Sequence, residues 1–454
     1  MAGTHNKPHA LLIFPPVYDF ALFDLFVRPY SLLKLGRWLS DAGYEVTMIN
    51  SLDYRESYTK SGLKKPVRRA NGTGKFFRRV VPTPPALHTE QRPYARYGIP
   101  RAALEKQIGS VNPDIILVGS GMTYWYPGVR EAVSLAKMIH PRTPVVVGGI
   151  YATLCPEHAR RTMEADEIVT GDAYPALAQL LAASKLPVPA FAPTEDYLLD
   201  PSHYYDACVV RLHAGCVFHC SYCASHKLCG GFRPGDPEHL ARQVELIHRR
   251  FGINTFAFYD DALLAQRHTG IIPFLTGIIE TGITLDFYVP NGLHITYLDE
   301  SLAALMKKAG FREVRFGFES ARAGFHREYG PKHEVSMLEH AVHCLRSGGF
   351  AASEIAVYVL AGLPGQYPEE VEESIRFAAA LGLRVYVAQY SPIPYTGLWS
   401  KSVKQSGFAL EEEPLTHNNT LFPLQGERFS LQDLQKLKGL AQRFRHAELK
   451  SSPG

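Results

Sequence analysis

The chain alternates short Val/Ile-rich stretches with helical ones, twice over, and this rhythm leaves few folds open. A strand that is apolar throughout must be covered on both faces, and the crossover helices of a parallel sheet do that. The first run opens with HALLIFPP and EVTMIN and continues through DIILVGSGM, VVVGGI and EIVTG. PYSLLKLGRWLSDAGY, between the first two, has helical periodicity and places Gly43 at its end. Glycines gather where these strands stop, at Gly119, Gly121, Gly148, Gly149 and Gly171. Open parallel sheets bind ligands beyond the carboxyl ends of their strands. A doubly wound α/β domain over residues 1–190 is expected, with its ligand on the glycine-bearing edge.

A proline-rich linker over 191–205 separates this from the second run. There the strand candidates are ACVVRL, INTFAFY, ITLDFYV, EVRFGF, EIAVYVL and VYVAQY. Helix candidates such as PEHLARQVELIHRRF and PEEVEESIRFAAALG lie between them, starting with Pro or acidic residues and stopping at Gly. Six β/α units over 206–400 are too few to close an eight-fold barrel and fit an open, partial one. A short, mainly helical C-terminal region, 401–454, follows with LQDLQKLKGLAQRFRH. Residues 54–100 break the rhythm of the first domain, being polar, basic and aromatic without a period. A long irregular insert in a compact domain is either functional or disordered, and the Arg and Tyr content of RPYARYG favours an ordered lid or substrate loop.

The 454 residues exceed what one hydrophobic core supports. A formal charge of +4 gives no reason to expect nucleic acid or an anionic membrane as partner. No apolar run reaches the roughly 18 residues of a membrane span. The N-terminus MAGTHNKPHALLIFPP lacks the charged start and long apolar stretch of a signal peptide. Seven cysteines, three of them clustered, do not read as a disulfide framework, so a reduced, cytoplasmic setting is expected.

The clustered cysteines lie in CVFHCSYC, residues 216–223, just after the first strand of the second run. Cys216, Cys220 and Cys223 form a C-x3-C-x2-C loop whose three thiolates suit a metal centre. With His219, His226 or Cys229 as fourth ligand the loop reads as structural zinc. With no fourth protein ligand it reads as an iron–sulfur centre with one iron open to a small molecule.

Spacing and context together resemble the radical S-adenosylmethionine (SAM) superfamily over residues 205–400. The resemblance implies a 4Fe–4S cluster on the three cysteines, its fourth iron chelated by SAM. Reductive cleavage of SAM then yields a 5′-deoxyadenosyl radical. It also implies SAM contacts from Tyr222, before the third cysteine, and from Asp260 and Asp261 in FYDDA. Glu319 in GFES would meet the ribose, and Gly362 and Pro364 in VLAGLPGQ would lie near adenine. PIPYTG (392–397) resembles the segment closing the last strand in many cobalamin-linked members. Read alone, Asp260 and Asp261 would be helix N-caps, Glu319 a solvated strand end, and the glycines plain turns.

The first run resembles the Rossmann-like cobalamin-binding domain that precedes many radical SAM domains, on FPPVY, GSGMT, VVVGGIYATLCPE and VTGDAYPAL. The implied cobalamin contacts are Pro15, Pro16, Ser120, Gly121, Met122, Thr123, Tyr124, Gly148, Gly149, Tyr151, Thr153, Gly171 and Asp172. No D-x-H-x-x-G is present, so no histidine is marked as lower axial ligand. TYWYPG (123–128) either lines the face below cobalt or buries its aromatics in the core.

The resemblance therefore implies an enzyme with three cofactors: a 4Fe–4S cluster, SAM and cobalamin. Its implied chemistry is transfer of a methyl group from methylcobalamin to an unactivated carbon of a small-molecule or peptide substrate. A low-potential donor such as flavodoxin or ferredoxin would supply electrons. A cobalamin enzyme that cyclises, rearranges or oxidises without methylating is the alternative. A structural or sensing metal protein belongs to a third class.

Overall fold

The computed structural model describes residues 7–55, 64–190, 206–330 and 334–451. The proposed linker 191–205 lies outside these residues. The chain divides into two compact units, Met1–Tyr205 with Glu411–His417, and Asp206–Leu410 with Asn418–Gly454.

In chain order the first unit contains β1 (His9–Phe14), β2 (Val17–Asp19), α1 (Tyr30–Asp41), β3 (Glu45–Asn50), β4 (Arg78–Val80), β5 (Ala95–Tyr97) and α2 (Arg101–Gly109). It continues with β6 (Ile115–Ser120), α3 (Tyr126–Ile139), β7 (Val145–Gly149), α4 (Ile150–Leu154), α5 (Pro156–Thr162), β8 (Glu167–Ile168) and α6 (Ala173–Ala183). Five strands form a parallel sheet in the order β3-β1-β6-β7-β8. The chain leaves β1 toward β3 on one side and returns to β6 on the other. The crevice between β1 and β6 is therefore the topological switch point, where doubly wound sheets bind their ligands. Ala10–Ile13 and Val145–Val147 are fully or almost fully buried, as strands covered on both faces must be.

Among its described residues, 54–55 and 64–100, the insert is not the irregular stretch its composition suggests. Its β4 and β5 pair antiparallel, and β5 pairs with β2, in a separate three-stranded sheet. These strands have three residues each, too short to show an alternating pattern in sequence. Buried charges anchor the arrangement. Asp24, wholly buried, takes Arg28 at 2.9 Å and Arg68 at 2.6 Å. Arg96 of β5 pairs with Glu131 of α3 at 2.9 Å, both nearly inaccessible.

The second unit contains β9 (Cys208–Val210), α7 (Ser225–Cys229), α8 (Pro237–Phe251), β10 (Thr255–Phe258), α9 (Ile271–Glu280), β11 (Asp286–Tyr288), α10 (Glu300–Ala309) and β12 (Phe311–Glu319). It ends with α11 (Phe325–Tyr329), α12 (Met337–Ser347), β13 (Ile355–Ala361), α13 (Pro368–Ala380), β14 (Arg384–Gln389), α14 (Trp399–Gln405) and α15 (Leu431–Ser451). The six strands run parallel in strict chain order, β9 to β14, with β9 and β14 at the edges. This is the partial barrel expected from six units. Phe256, Phe258, Phe274, Phe287 and Phe311 are buried to 1% exposure or less, with Phe258 within 6 Å of three of the others. Each such ring contributes roughly 2 kcal/mol by leaving water. This cluster bonds β10–β12 to α9 and makes the sheet a rigid platform for the loops at its carboxyl end.

Candidate active site

The cysteine loop follows β9 at that carboxyl end. Cys216 and Cys220 are buried and Cys223 is exposed. The loop is held at both ends by consecutive carboxylates. Asp260, 3% exposed, accepts the backbone N–H groups of Leu212 at 2.9 Å and His213 at 2.6 Å, just ahead of Cys216. Asp261 accepts the Ser225 hydroxyl at 2.6 Å, just past Cys223. The middle is tied at Ser221, whose N–H donates to the Tyr329 carbonyl at 2.7 Å while its carbonyl accepts from Leu398 N at 2.9 Å. Leu398 directly follows the PIPYTG segment. Amides also point at sulfur: Phe218 N lies 3.4 Å from Cys216 Sγ and Ser225 N 3.5 Å from Cys223 Sγ. Such donors favour thiolate over thiol and tune a bound cluster.

Asp260 is under opposing influences. Burial pushes its carboxyl up to about 7, against the two amide bonds that favour the ionised form. Neither aspartate caps a helix: both precede a stretch of turns, and both face the cysteine loop.

His219 and His226 stack on one another, ring centroids 3.6 Å apart and 14° from parallel. His226 Nε2 is bonded to the Phe218 carbonyl at 2.9 Å. Among the described residues, no three His, Cys, Asp or Glu side chains converge on a single metal-ion position. A 4Fe–4S cubane asks for no such convergence, because each thiolate binds a different iron. Three soft donors on one strapped loop, two of them shielded from water, fit that group.

Glu319 ends β12 with a left-handed backbone, φ 67°, and 9% exposure. The β12–β13 register shifts between Gly317 and Glu319, which aims this residue differently from its neighbours. Left-handed backbone in a non-glycine residue is a strained conformation that concentrates at ligand sites. Tyr222 is half-buried against the cluster formed by Phe325, Tyr329, Leu360 and Leu363. Gly362 and Pro364 are buried in a turn built on Gln366. Its Oε1 accepts Gly362 N at 2.7 Å and its Nε2 donates to the Leu360 carbonyl at 3.1 Å. Thus Cys216–Cys223, Asp260–Asp261, Glu319 and Gly362–Pro364 all sit at or just past strand carboxyl ends of one sheet. The Asp260 and Asp261 carboxylates both accept from the segment that carries the cysteine loop.

In the first unit, Pro15 and Pro16 are buried immediately after β1, and Pro16 lies against the first turn of α3. The close approach depends on Gly128: a Cβ there would lie 1.7 Å from the Pro16 carbonyl oxygen. Gly149, φ 102°, performs the same service between β6 and β7, since a Cβ would stand 2.4 Å from the Ser120 oxygen. Ser120 Oγ accepts Ala152 N at 3.2 Å, and Thr153 Oγ1 accepts Gly171 N at 2.9 Å, so adjacent strand ends are laced together. Met122, Gly149, Gly171 and Asp172 are exposed along this edge and Gly121 and Gly148 half-exposed, an open glycine-rich rim. Asp172 caps α6 through Tyr174 N at 3.2 Å. A rim of bare backbone along the carboxyl ends of β6, β7 and β8, on one side of the switch point, fits a large, flat ligand.

The aromatics of TYWYPG are anchored inside the unit. Thr123–Trp125 form a 3-10 turn in which Thr123 and Tyr124 are buried. Trp125 Nε1 donates to Asp19 at 2.8 Å. Tyr126 stacks on wholly buried Tyr151 at 5.5 Å, and Tyr151 shares a 2.7 Å hydrogen bond with His158 Nδ1. Burial raises the Tyr124 and Tyr151 phenols well above their ordinary range and lowers His158 to about 4. Two further residues, Glu413 and His417, reach Tyr126 and Thr123 from nearly 300 positions away, as their separations of 287 and 294 show. No local pattern could have shown them. Gln366, by contrast, stood in the quoted VLAGLPGQ.

Comparison with known proteins agrees with both halves. Residues 210–378 match the model of the radical SAM superfamily, and 92–181 that of the B12 binding domain. An uncharacterized methyltransferase of Pyrococcus horikoshii is 24% identical over 340 residues, 66% of this chain and 72% of the relative. The anaerobic magnesium-protoporphyrin IX monomethyl ester cyclase of Rubrivivax gelatinosus is 21% identical over 66% of this chain, which spans only 60% of that protein. The fold is that of the radical SAM methyltransferase TsrM from Kitasatospora setae, at TM-score 0.66 and 16% identity, covering 97% of this chain and 89% of TsrM. No helix among the described residues is long and apolar enough to cross a membrane. The chain carries a radical SAM domain and a B12 binding domain, which makes it a cobalamin-dependent radical SAM enzyme with a 4Fe–4S cluster, SAM and cobalamin as its cofactors.

Proposed function

We propose that the enzyme transfers a methyl group to an unactivated carbon of a small-molecule or peptide substrate. The carrying observation is that a strapped three-cysteine loop and an open glycine rim along strand carboxyl ends occur in one chain whose relatives include named methyltransferases. When bound, the cluster and SAM supply the radical and cobalamin the methyl group; the protein supplies placement.

In this reading Cys216, Cys220 and Cys223 hold three irons. Asp260 and Asp261 keep their loop in shape. Tyr222, Glu319, Gly362 and Pro364 border SAM, with Glu319 accepting from its ribose hydroxyls. Pro15, Pro16, the 120–124 loop, Gly148, Gly149, Tyr151, Thr153, Gly171 and Asp172 border cobalamin. The domains are 1–190, 206–400 and the 401–454 extension, joined by the 191–205 linker. The insert and the extension shape the substrate pocket, and a low-potential donor such as flavodoxin or ferredoxin delivers the electron. A cytoplasmic setting suits cysteines kept reduced for a metal cluster.

The cyclase relatives favour a second reading, ring formation without methylation. Anaerobic incubation of reconstituted enzyme with reductant, SAM carrying a trideuterated methyl group, and a metabolite extract separates the two. A metabolite that gains the deuterated methyl supports methyl transfer. A new product without label, formed alongside 5′-deoxyadenosine, supports the cyclase-like reading.

A further inference from the structure

Residues Glu411–His417 lie far along the chain but pack into the first unit. Pro414–His417 form a 3-10 turn in which all four residues are buried. Glu413 is fixed within its own segment, one carboxylate oxygen accepting Leu415 N at 3.0 Å. Its other oxygen faces the Tyr126 hydroxyl at 3.4 Å. His417, 1% exposed, places Nδ1 2.9 Å from Thr123 Oγ1. These contacts grip both ends of the turn after β6, and Asp19 holds its middle through Trp125. The matched B12 binding domain ends at residue 181 and includes none of this segment.

We infer that Glu411–His417 is a positioning element of the cobalamin edge, holding the 122–126 loop in its ligand-ready shape. A loop that is ordered before binding spares the ligand that cost, so loosening it weakens affinity without removing any ligand contact. The inference rests on the reading that this loop borders cobalamin. It gives the C-terminal extension a role in the first unit, independent of substrate.

Hydroxocobalamin titration of the full-length protein tests it, reading dissociation constant and bound absorption spectrum, with iron content reporting on the second unit. His417→Leu weakens binding about tenfold and shifts the spectrum, with iron unchanged. His417→Asn, whose amide can meet Thr123, restores both. Thr123→Val, nearly isosteric, reproduces the loss, and the double variant is no worse than either single one. Should His417→Leu not fold, Thr123→Val and Glu413→Ala carry the same test. Wild-type affinity and spectrum in Thr123→Val and Glu413→Ala would overturn the inference, as would parallel loss of iron and cobalamin. A wild-type protein that holds iron yet takes up no hydroxocobalamin would overturn the cobalamin reading itself.

Discussion

At the edge of the first unit, strand ends approach one another through glycines and bare backbone, Gly128 against Pro16 and Gly149 against Ser120. At the edge of the second, loops are fixed by side chains: buried Asp260 and half-buried Asp261 on the cysteine loop, buried Gln366 under the Gly362 turn. The first construction leaves a smooth rim for a broad ligand. The second leaves discrete polar points, as suits a cluster and a small, charged co-substrate. A backbone-built edge tolerates no added atoms, whereas a side-chain-built edge fails when a functional group is removed.

The sharpest break of that comparison comes from Cys220→Ala. Cluster iron and 5′-deoxyadenosine formation should be abolished while cobalamin uptake stays at the wild-type level, read by metal analysis and absorption. If cobalamin went too, the two edges would not be independent.

Gly149→Ala should cost the first unit about 2–3 kcal/mol, because a left-handed backbone and a 2.4 Å contact are both made worse. Urea unfolding and hydroxocobalamin affinity should fall together, with iron retained. Asp260→Asn removes one acceptor from the cysteine loop and should cost about 1–3 kcal/mol. It should lower iron occupancy after reconstitution, measured per chain, without changing cobalamin affinity. Unchanged occupancy would remove the carboxylates from the account of the loop.

Glu319→Gly separates strain from function. Glycine accepts φ 67° freely, so stability should hold or rise by up to about 1 kcal/mol, while SAM affinity weakens about tenfold. Equal SAM affinity would make the strained glutamate a local accident. The smallest effect concerns pH. Burial holds His158 at about 4 against an ordinary 6.5, so the unfolded chain binds the extra proton between those values. Stability of the first unit should fall as pH drops from about 6.5 toward 4, by on the order of 1 kcal/mol after solvent screening. His158→Gln should flatten that slope.

Much of the fold is legible in the amino-acid sequence. The parallel sheets followed from strands apolar on every side, and the cysteine loop from its spacing, because both signals are local and repeat at short range. The glycines pointed to strand ends for the same reason. What sequence could not show was who holds these loops. Asp260 sits 47 and 48 residues from its amide partners, and His417 sits 294 from Thr123. Partners so distant are brought together only by the folded chain. Nor could it show that three-residue strands of a basic insert form their own sheet, since period-two alternation needs a longer run. The amino-acid sequence by itself determined the layers, the strand-end chemistry and the family. Tertiary structure alone decided that FYDDA braces the cysteines, that Glu319 is strained, and that the C-terminal segment belongs to the first unit. Each depends on a hydrogen bond or backbone angle that exists only once distant segments are packed.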